Sequence, residues 1–302
     1  MGFSDRMAMR YLREDSFGVP GSKPLQTLLV TSETLTTNFT TIESETVIGD
    51  RQVRDLVRTG RLAQGDINFE LIYGNLDDLL CGALANEWVS NVLENDSDLI
   101  SFAFEKDFTD LGLLYAFLGC RVGGLTLNFA VQQQIRGTLS VMGKGGVFAS
   151  ASASIGAGSP AAAVDNPMMV SLSKLVLEEG GQGITAATAF SFQTANNLRE
   201  RRVLGSDDLV NLALGTFRVT GTLDAYFEDR RFLDKLIADT PTDFEIVTED
   251  DDGNAYTWIF PRIKFTGTTG PNNQGRNTDV MTQLQWTAFR DPSTGITMRV
   301  ER

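Results

Sequence analysis

The stretch from Gly65 to Leu80, GDINFELIYGNLDDLL, has a second version from Gly221 to Leu236, GTLDAYFEDRRFLDKL. Aligned at that spacing, Ile67 meets Leu223, Phe69 meets Ala225, Leu71 meets Phe227, Leu76 meets Phe232 and Leu80 meets Leu236. In both versions the first half alternates apolar and polar residues, the period of a strand buried on one face. The second half spaces its apolar residues at three and four, the period of a short amphipathic helix. A chain that runs strand into helix twice, at one long separation, is built from one structural unit used two times.

The flanking sequence divides around that repeat. Residues 1–24 end in FGVPGSKP and show no periodicity, which predicts an extended N-terminal arm. Residues 25–145 form a first unit of about six strands and one short helix: a Thr-, Val- and Phe-crowded run to Ile48, the repeated strand and helix, then SFAFEKDF, LLYAFLGCRVGGLTLNFAV and QIRGTLSVMG. Within it, Asp50 to Gln64 reads as a long polar loop, and the Gly123-Gly124 pair interrupts an apolar alternation. Residues 146–167 are rich in Ala, Ser and Gly and read as a linker, or alternatively as a small-residue edge strand. A second unit, 168–302, repeats the order of strands. A charged loop from Arg199 stands in the place of the first long loop, and a tight hairpin turns at Asp252-Gly253-Asn254.

Composition excludes much chemistry. The 302 residues include no histidine, which removes the common zinc sites and the Ser-His-Asp and Cys-His nucleophile systems together. A net charge of −13 does not suit a protein that grips nucleic acid through its phosphates. No run approaches the ~18 apolar residues of a membrane span, so the chain is expected to fold in a cytosol. Cys81 and Cys120 lie in apolar runs and are expected to be buried free thiols.

The motifs that could carry catalysis do not hold. GTLSVMGKGG has a glycine out of register for a phosphate-binding loop, and Gly145 stands where a hydroxyl would hold magnesium. EDDDGNAY lacks the first and twelfth ligands of a calcium loop and reads as a hairpin turn. The acidic pairs Asp77-Asp78 and Asp207-Asp208 are explained by helix starts and solvated turns. Neither a catalytic residue nor a cofactor or metal site is therefore expected. What remains are arginines in corresponding loops: Arg51, Arg54, Arg58 and Arg61 in the first unit, Arg199, Arg201 and Arg202 in the second. In an acidic protein these are candidates for contact with acidic surfaces of a neighbouring copy.

The order of these features resembles the tail tube (major tail) proteins of long-tailed bacteriophages. The resemblance is carried by TTIESETVIGDRQVRDLVRTGRLAQGDINFELIYGNLDDLLCGAL, SFAFEKDF and FLGCRV in the first unit. In the second it is carried by NNLRERRVLG, VTGTLDAYFED, FLDKL and YTWIFPRIKF. It implies a mainly β fold of β-sandwich or split-barrel units, each flanked by a helix, in rings stacked as a hollow virion tail tube. Inner strands of neighbouring copies would join into a barrel through which DNA passes without specific binding. The tape-measure protein would share that lumen, and tail terminator and tail-tip proteins would be further partners. The family commonly builds six-membered rings from single-unit chains. With two units per chain, a homotrimer gives a pseudo-hexameric ring; if the halves are one elaborated unit, a homohexamer is needed.

Acidic residues lining a bore would repel passing phosphates, so the lumen strands are expected to carry much of the excess charge. Asp66, Asn68, Glu70 and Asp224, on the polar face of the repeated strand, are the lumen candidates. The arginine-bearing loops, the N-terminal arm and the Arg302 end are candidates for ring-to-ring contacts. A tail-tip or contractile-system tube protein of the same fold is an alternative reading. A carbohydrate-binding or hydrolytic β-sandwich is another, and it would require an aromatic cleft around Trp88, Trp258 or Trp286.

Overall fold

A computed structural model describes residues 6–47, 49–150, 153–171, 174–272 and 275–302. Strand accounts for 51% of the chain and helix for 6%, and the large antiparallel sheet does not close on itself. The mainly β architecture is that of a β-sandwich. The elements of the first half are β1 (Met7–Arg13), β2 (Gln26–Leu28), β3 (Ser32–Glu33), β4 (Thr36–Glu43), β5 (Leu56–Glu70), α1 (Asp77–Leu84), β6 (Val92–Glu94), β7 (Phe102–Phe108), β8 (Leu113–Ala130), β9 (Arg136–Gly143) and β10 (Gly145–Ser150). The second half holds β11 (Val176–Glu179), β12 (Gln182–Gly183), β13 (Ala187–Ala195), β14 (Arg199–Arg201), β15 (Asn211–Ala213), β16 (Arg218–Tyr226), α2 (Arg231–Ile237), β17 (Thr242–Glu249), β18 (Ala255–Thr268), β19 (Met281–Ala288) and β20 (Arg299–Glu301).

The pairings of the first half recur in the second. Around the repeated strand, β5 lies between β4 and β9, and β16 lies between β13 and β19. The long strand β8 pairs first with β7 and β10 and then with β9; β18 pairs first with β17 and β20 and then with β19. β1 joins β7 and β2, as β11 joins β17 and β12. Each long strand carries a register shift just past its change of partners, between Val122 and Gly124 in β8 and between Phe265 and Gly267 in β18. Such bulges bend a strand and raise its twist, which lets one strand serve both layers of a sandwich. The Gly123-Gly124 pair is thus a bend inside one strand and not a break between two.

The halves are joined by a ladder of their own, with β8 pairing to β13 from Thr126↔Gln193 to Ala130↔Ala189. Their cores merge accordingly. Phe69, Phe102, Phe104 and Phe117 from the first half share one buried cluster with Phe192, Phe244, Phe260, Trp258 and Trp286 from the second. Across the junction Phe129 packs on Phe190 and Phe192 at ring separations of 6.1 and 6.2 Å.

Several segments differ from their sequence reading. Met7–Arg13, expected in an arm, is a strand bonded along β7, because Met9, Tyr11 and Leu12 have a core to enter. The run expected to be a loop before Gln64 is strand from Leu56 onward, paired with β4 in a long hairpin. Its counterpart from Arg199 contains the two-stranded ribbon β14–β15. Residues 145–150 form an edge strand on β8, and the small-residue segment beyond runs against the first half through bridges Gln26↔Ala161, Ile72↔Met168 and Gln134↔Val170.

The helices also shift against the sequence alignment. Leu80 N donates to Leu76 O and Asn86 N to Cys81 O in α1; Asp234 N to Arg230 O and Thr240 N to Lys235 O are the matching bonds in α2. Left-handed Ala85 and Asp239 mark equivalent helix ends, with φ of 54° and 53°. The connection 227–230 is shorter than 71–76, so Leu76 stands opposite Arg230 rather than Phe232.

Candidate assembly surfaces

The repeated strand presents one face to the core and the other away from it. Ile67 and Phe69 of β5, and Val219, Leu223 and Ala225 of β16, are buried. Alternation puts Gln64, Asp66, Asn68 and Glu70, and Thr220, Thr222 and Asp224, on the opposite face. Register extends that face sideways: Asp66 pairs with Ser140 and Asn68 with Thr138, then Thr138 with Thr126, Thr126 with Gln193 and Gln193 with Thr220. The result is a continuous stripe of Thr, Ser, Asn and Gln crossing both halves.

The four lumen candidates therefore share one face. Asn68 is held by Ser32 at 2.9 Å and Thr138 at 2.7 Å, and Glu70 accepts from Gln134 at 2.7 Å. Asp224 Oδ1 is buried without a hydrogen-bond partner among the described residues. The carboxylates Asp66, Glu70 and Asp224 share the face with Arg136 and Arg218. The face is thus mostly neutral, and the chain's excess negative charge is not concentrated on it as the sequence reading expects.

The arginine candidates separate into three situations. Arg51 and Arg54 are exposed at the turn of the β4–β5 hairpin. Arg58 and Arg61 lie on β5, where they meet the β14–β15 turn: Arg58 reaches Asp207 at 3.5 Å, and Arg61 grips Asp208 with Nε and with Nη2, the latter at 2.7 Å. The Arg61 backbone N–H also donates to Asp207 O at 3.0 Å. Among the second set, Arg199 donates to Leu214 O at 3.2 Å, Arg202 pairs with Glu200 at 2.9 Å and crosses to Arg61 O, and Arg201 is exposed. The two arginine-bearing segments thus touch each other within one chain. The Arg61 guanidinium holds the Asp208 carboxyl below the usual carboxylate range, and Asp208 in turn raises Arg61.

The chain end is also tied down. Arg302 pairs with Asp77 at the start of α1 and lies over the Trp88 ring at 4.4 Å. Trp258 and Trp286 are fully buried in the core, where they cannot line a cleft. The Asp250 carboxylate is occupied by its own turn, accepting from Asp252 N at 2.9 Å and Asn254 Nδ2 at 2.8 Å. Among the described residues no group of three or more Asp, Glu, Cys or His side chains gathers as a metal site.

Large apolar side chains are instead exposed on the hairpin and along sheet margins: Phe39, Ile42, Val53, Leu56 and Val57 on β4–β5, Leu113 at the start of β8, and Ile237 at the end of α2. A surface carrying scattered polar strands, open edges and apolar side chains is suited to binding further protein. The sequence reading missed this apolar component because Leu56 and Val57 fall in a run read as a polar loop, and Phe39 and Ile42 in a run read as an ordinary strand. Only their placement beyond the core shows otherwise.

No curated protein matches the chain. A family model described as phage tail tube protein matches residues 4–288. With the β-sandwich fold, the open sheet and this match over most of the sequence, the chain belongs to the phage tail tube protein family.

Proposed function

We propose that the chain is the major subunit of a virion tail tube, with two tandem tube units per copy. Three copies would then close a pseudo-hexameric ring, and rings would stack into the conduit for DNA and tape-measure protein. The observation that carries this reading is the recurrence of one pairing scheme in both halves, joined edge to edge by β8 and β13 while β4 and the end of β18 bound the sheet. A sheet margin is a template for further strands, and joining margin to margin around a ring removes it. The stripe of neutral polar residues would line the bore, and the β4–β5 and β14–β15 hairpins would reach the next ring. Tube terminator and tip proteins would bind the exposed ends of the stack.

The test is negative-stain electron microscopy of the purified protein, combined with native mass spectrometry of single rings. Hollow tubes or annuli with a mass of three chains support the reading. Six chains per ring would replace the two-unit ring with a one-unit ring. A stable monomer at all concentrations would overturn the tube role.

A further inference from the structure

The two helices end in the same way but are covered differently. By the hydrogen bonds that match the helix ends, Ala83 of α1 stands where Ile237 stands in α2. Ala83 is 0% exposed and Ile237 is 82% exposed. Part of what seals the end of α1 comes from the other half of the chain. Asn196, just past β13, is buried and donates its amide to Ala83 O and to Val122 O, both at 3.0 Å. Its backbone N–H donates to Gly123 O at 2.7 Å, and Leu125 N donates to Thr194 Oγ1 at 3.0 Å. This contact continues the β8–β13 ladder onto the helix.

The same repeat identifies the counterparts on the first half. Thr194 pairs with Val219 of β16, and Thr37 pairs with Ala63 of β5, at matching places on the repeated strand. Two residues further on, where the second half has Asn196, the first half has Phe39, which is 54% exposed. Thr37 and Phe39 lie on one face of β4. Thr37 already turns its hydroxyl inward, accepting from Gly146 N at 2.7 Å, while Arg58 stacks over the Phe39 ring at 4.8 Å. On the receiving side, Val122 and Gly123 of β8 correspond to Phe265 and Thr266 of β18, as the shared bulge shows. At its C-terminal end β18 is bonded to β19 along one side; among the described residues its other side carries no ladder.

We infer that Phe39 of a second copy covers the C-terminal turn of α2, against Leu236 and Ile237. The β3–β4 margin of that copy would lie along the end of β18. Resting on the edge-to-edge reading above, this assigns the junction between copies to specific residues. It takes the place of the Asn196 contact within a copy and has a different chemistry. Inside the chain a buried amide satisfies carbonyls; between chains an aromatic ring meets an aliphatic side chain, and both are exposed until the copies meet. Burial of apolar area needs no preformed polar partner, which suits a joint that must wait for another molecule. The apolar residues on both sides favour a second copy as occupant, since each copy presents Phe39 on one margin and Ile237 on the other.

Cysteine cross-linking tests the contact. The native Cys81 and Cys120 are buried and do not compete. On mild oxidation, a mixture of Phe39→Cys chains with Ile237→Cys chains should give a covalent dimer, and chains carrying both changes should give a ladder ending in a closed ring. Ile237→Asp and Phe39→Asp should each raise the concentration needed for assembly by at least about tenfold, with the unfolding midpoint of the free chain unchanged. Rings that form normally with neither cross-link nor sensitivity to the aspartates would overturn this junction and leave the tube reading in place. Failure of the unaltered chain to form any assembly would overturn the tube reading itself.

Discussion

Arg61 on β5 and Asp208 on the β14–β15 turn form a two-point ion pair across 147 residues of sequence. It fastens the root of one hairpin to the turn of the other, inside one chain. Both side chains remain about one-third exposed, at 32% and 33%, so solvent screens much of their attraction.

Asp208→Asn is therefore expected to destabilise the chain by no more than about 1 kcal/mol at neutral pH. The pH dependence has a defined sign. The folded state depresses the Asp208 carboxyl, so its contribution is present above the unfolded value of about 3.9 and disappears as pH falls through the lower folded value. Urea unfolding at pH 7 and at pH 3 measures this. A difference between variant and parent that is larger at pH 3 than at pH 7 would contradict the assignment.

Glu14 shows the opposite behaviour. Its buried carboxylate accepts from Gly119 N at 2.7 Å, Gly18 N at 2.8 Å and Ser101 Oγ at 2.6 Å, yet burial pushes its pKa up. A raised carboxyl binds its proton more tightly folded than unfolded. Stability from this group is thus lost as pH rises from about 4.3 toward the folded value, then stays level. Glu14→Gln should flatten that step in a stability-against-pH series. Glu14→Ala, which abandons the buried Gly119 amide and the half-buried Gly18 amide, should cost about 1–3 kcal/mol in denaturant unfolding.

Both versions of the repeated stretch begin with glycine for a steric reason. A Cβ on Gly65 would sit 2.5 Å from Leu35 Cα, and one on Gly221 would sit 2.1 Å from Ser191 O. Gly65→Ala and Gly221→Ala should each destabilise by roughly 1–3 kcal/mol through forced backbone movement. Gly183→Ala, where added carbon meets open space, is the control and should be close to neutral in thermal unfolding.

On the polar face, Asp66→Lys combined with Asp224→Lys should leave tube assembly intact. If this face lines the bore as proposed, DNA release from particles carrying these tubes should slow, because cations on the wall would hold passing phosphates. Time-resolved release from purified particles reads this out. Loss of assembly, with rings absent, would count against the face lining the bore.

The strand–helix repeat was legible because its alternation reports a core: Ile67 and Phe69 are buried, and their neighbours are not. The hairpins were not legible for the complementary reason. From Leu56 to Thr59 strand residues lie beyond the core and are exposed on both faces, so no period of two marks them. The helix register slipped in the sequence alignment because Phe232 and Leu236 matched Leu76 and Leu80 in type. A shorter connection moved the backbone equivalence, and only hydrogen bonds record that. Arg58 and Arg61 looked outward from sequence because their partners, Asp207 and Asp208, come from the far half of the chain. That proximity exists only in the folded chain, where the two halves pack on one core.

The β8–β13 ladder also separates two kinds of joint by their response to dilution. Its strands share one polypeptide, so their meeting is a first-order event that no amount of solvent can prevent. Contacts between copies at the sheet's outer margins, as proposed, would be second-order in chain. Lowering the protein concentration should therefore strip the assembly down to intact half-and-half pairs, never to isolated halves.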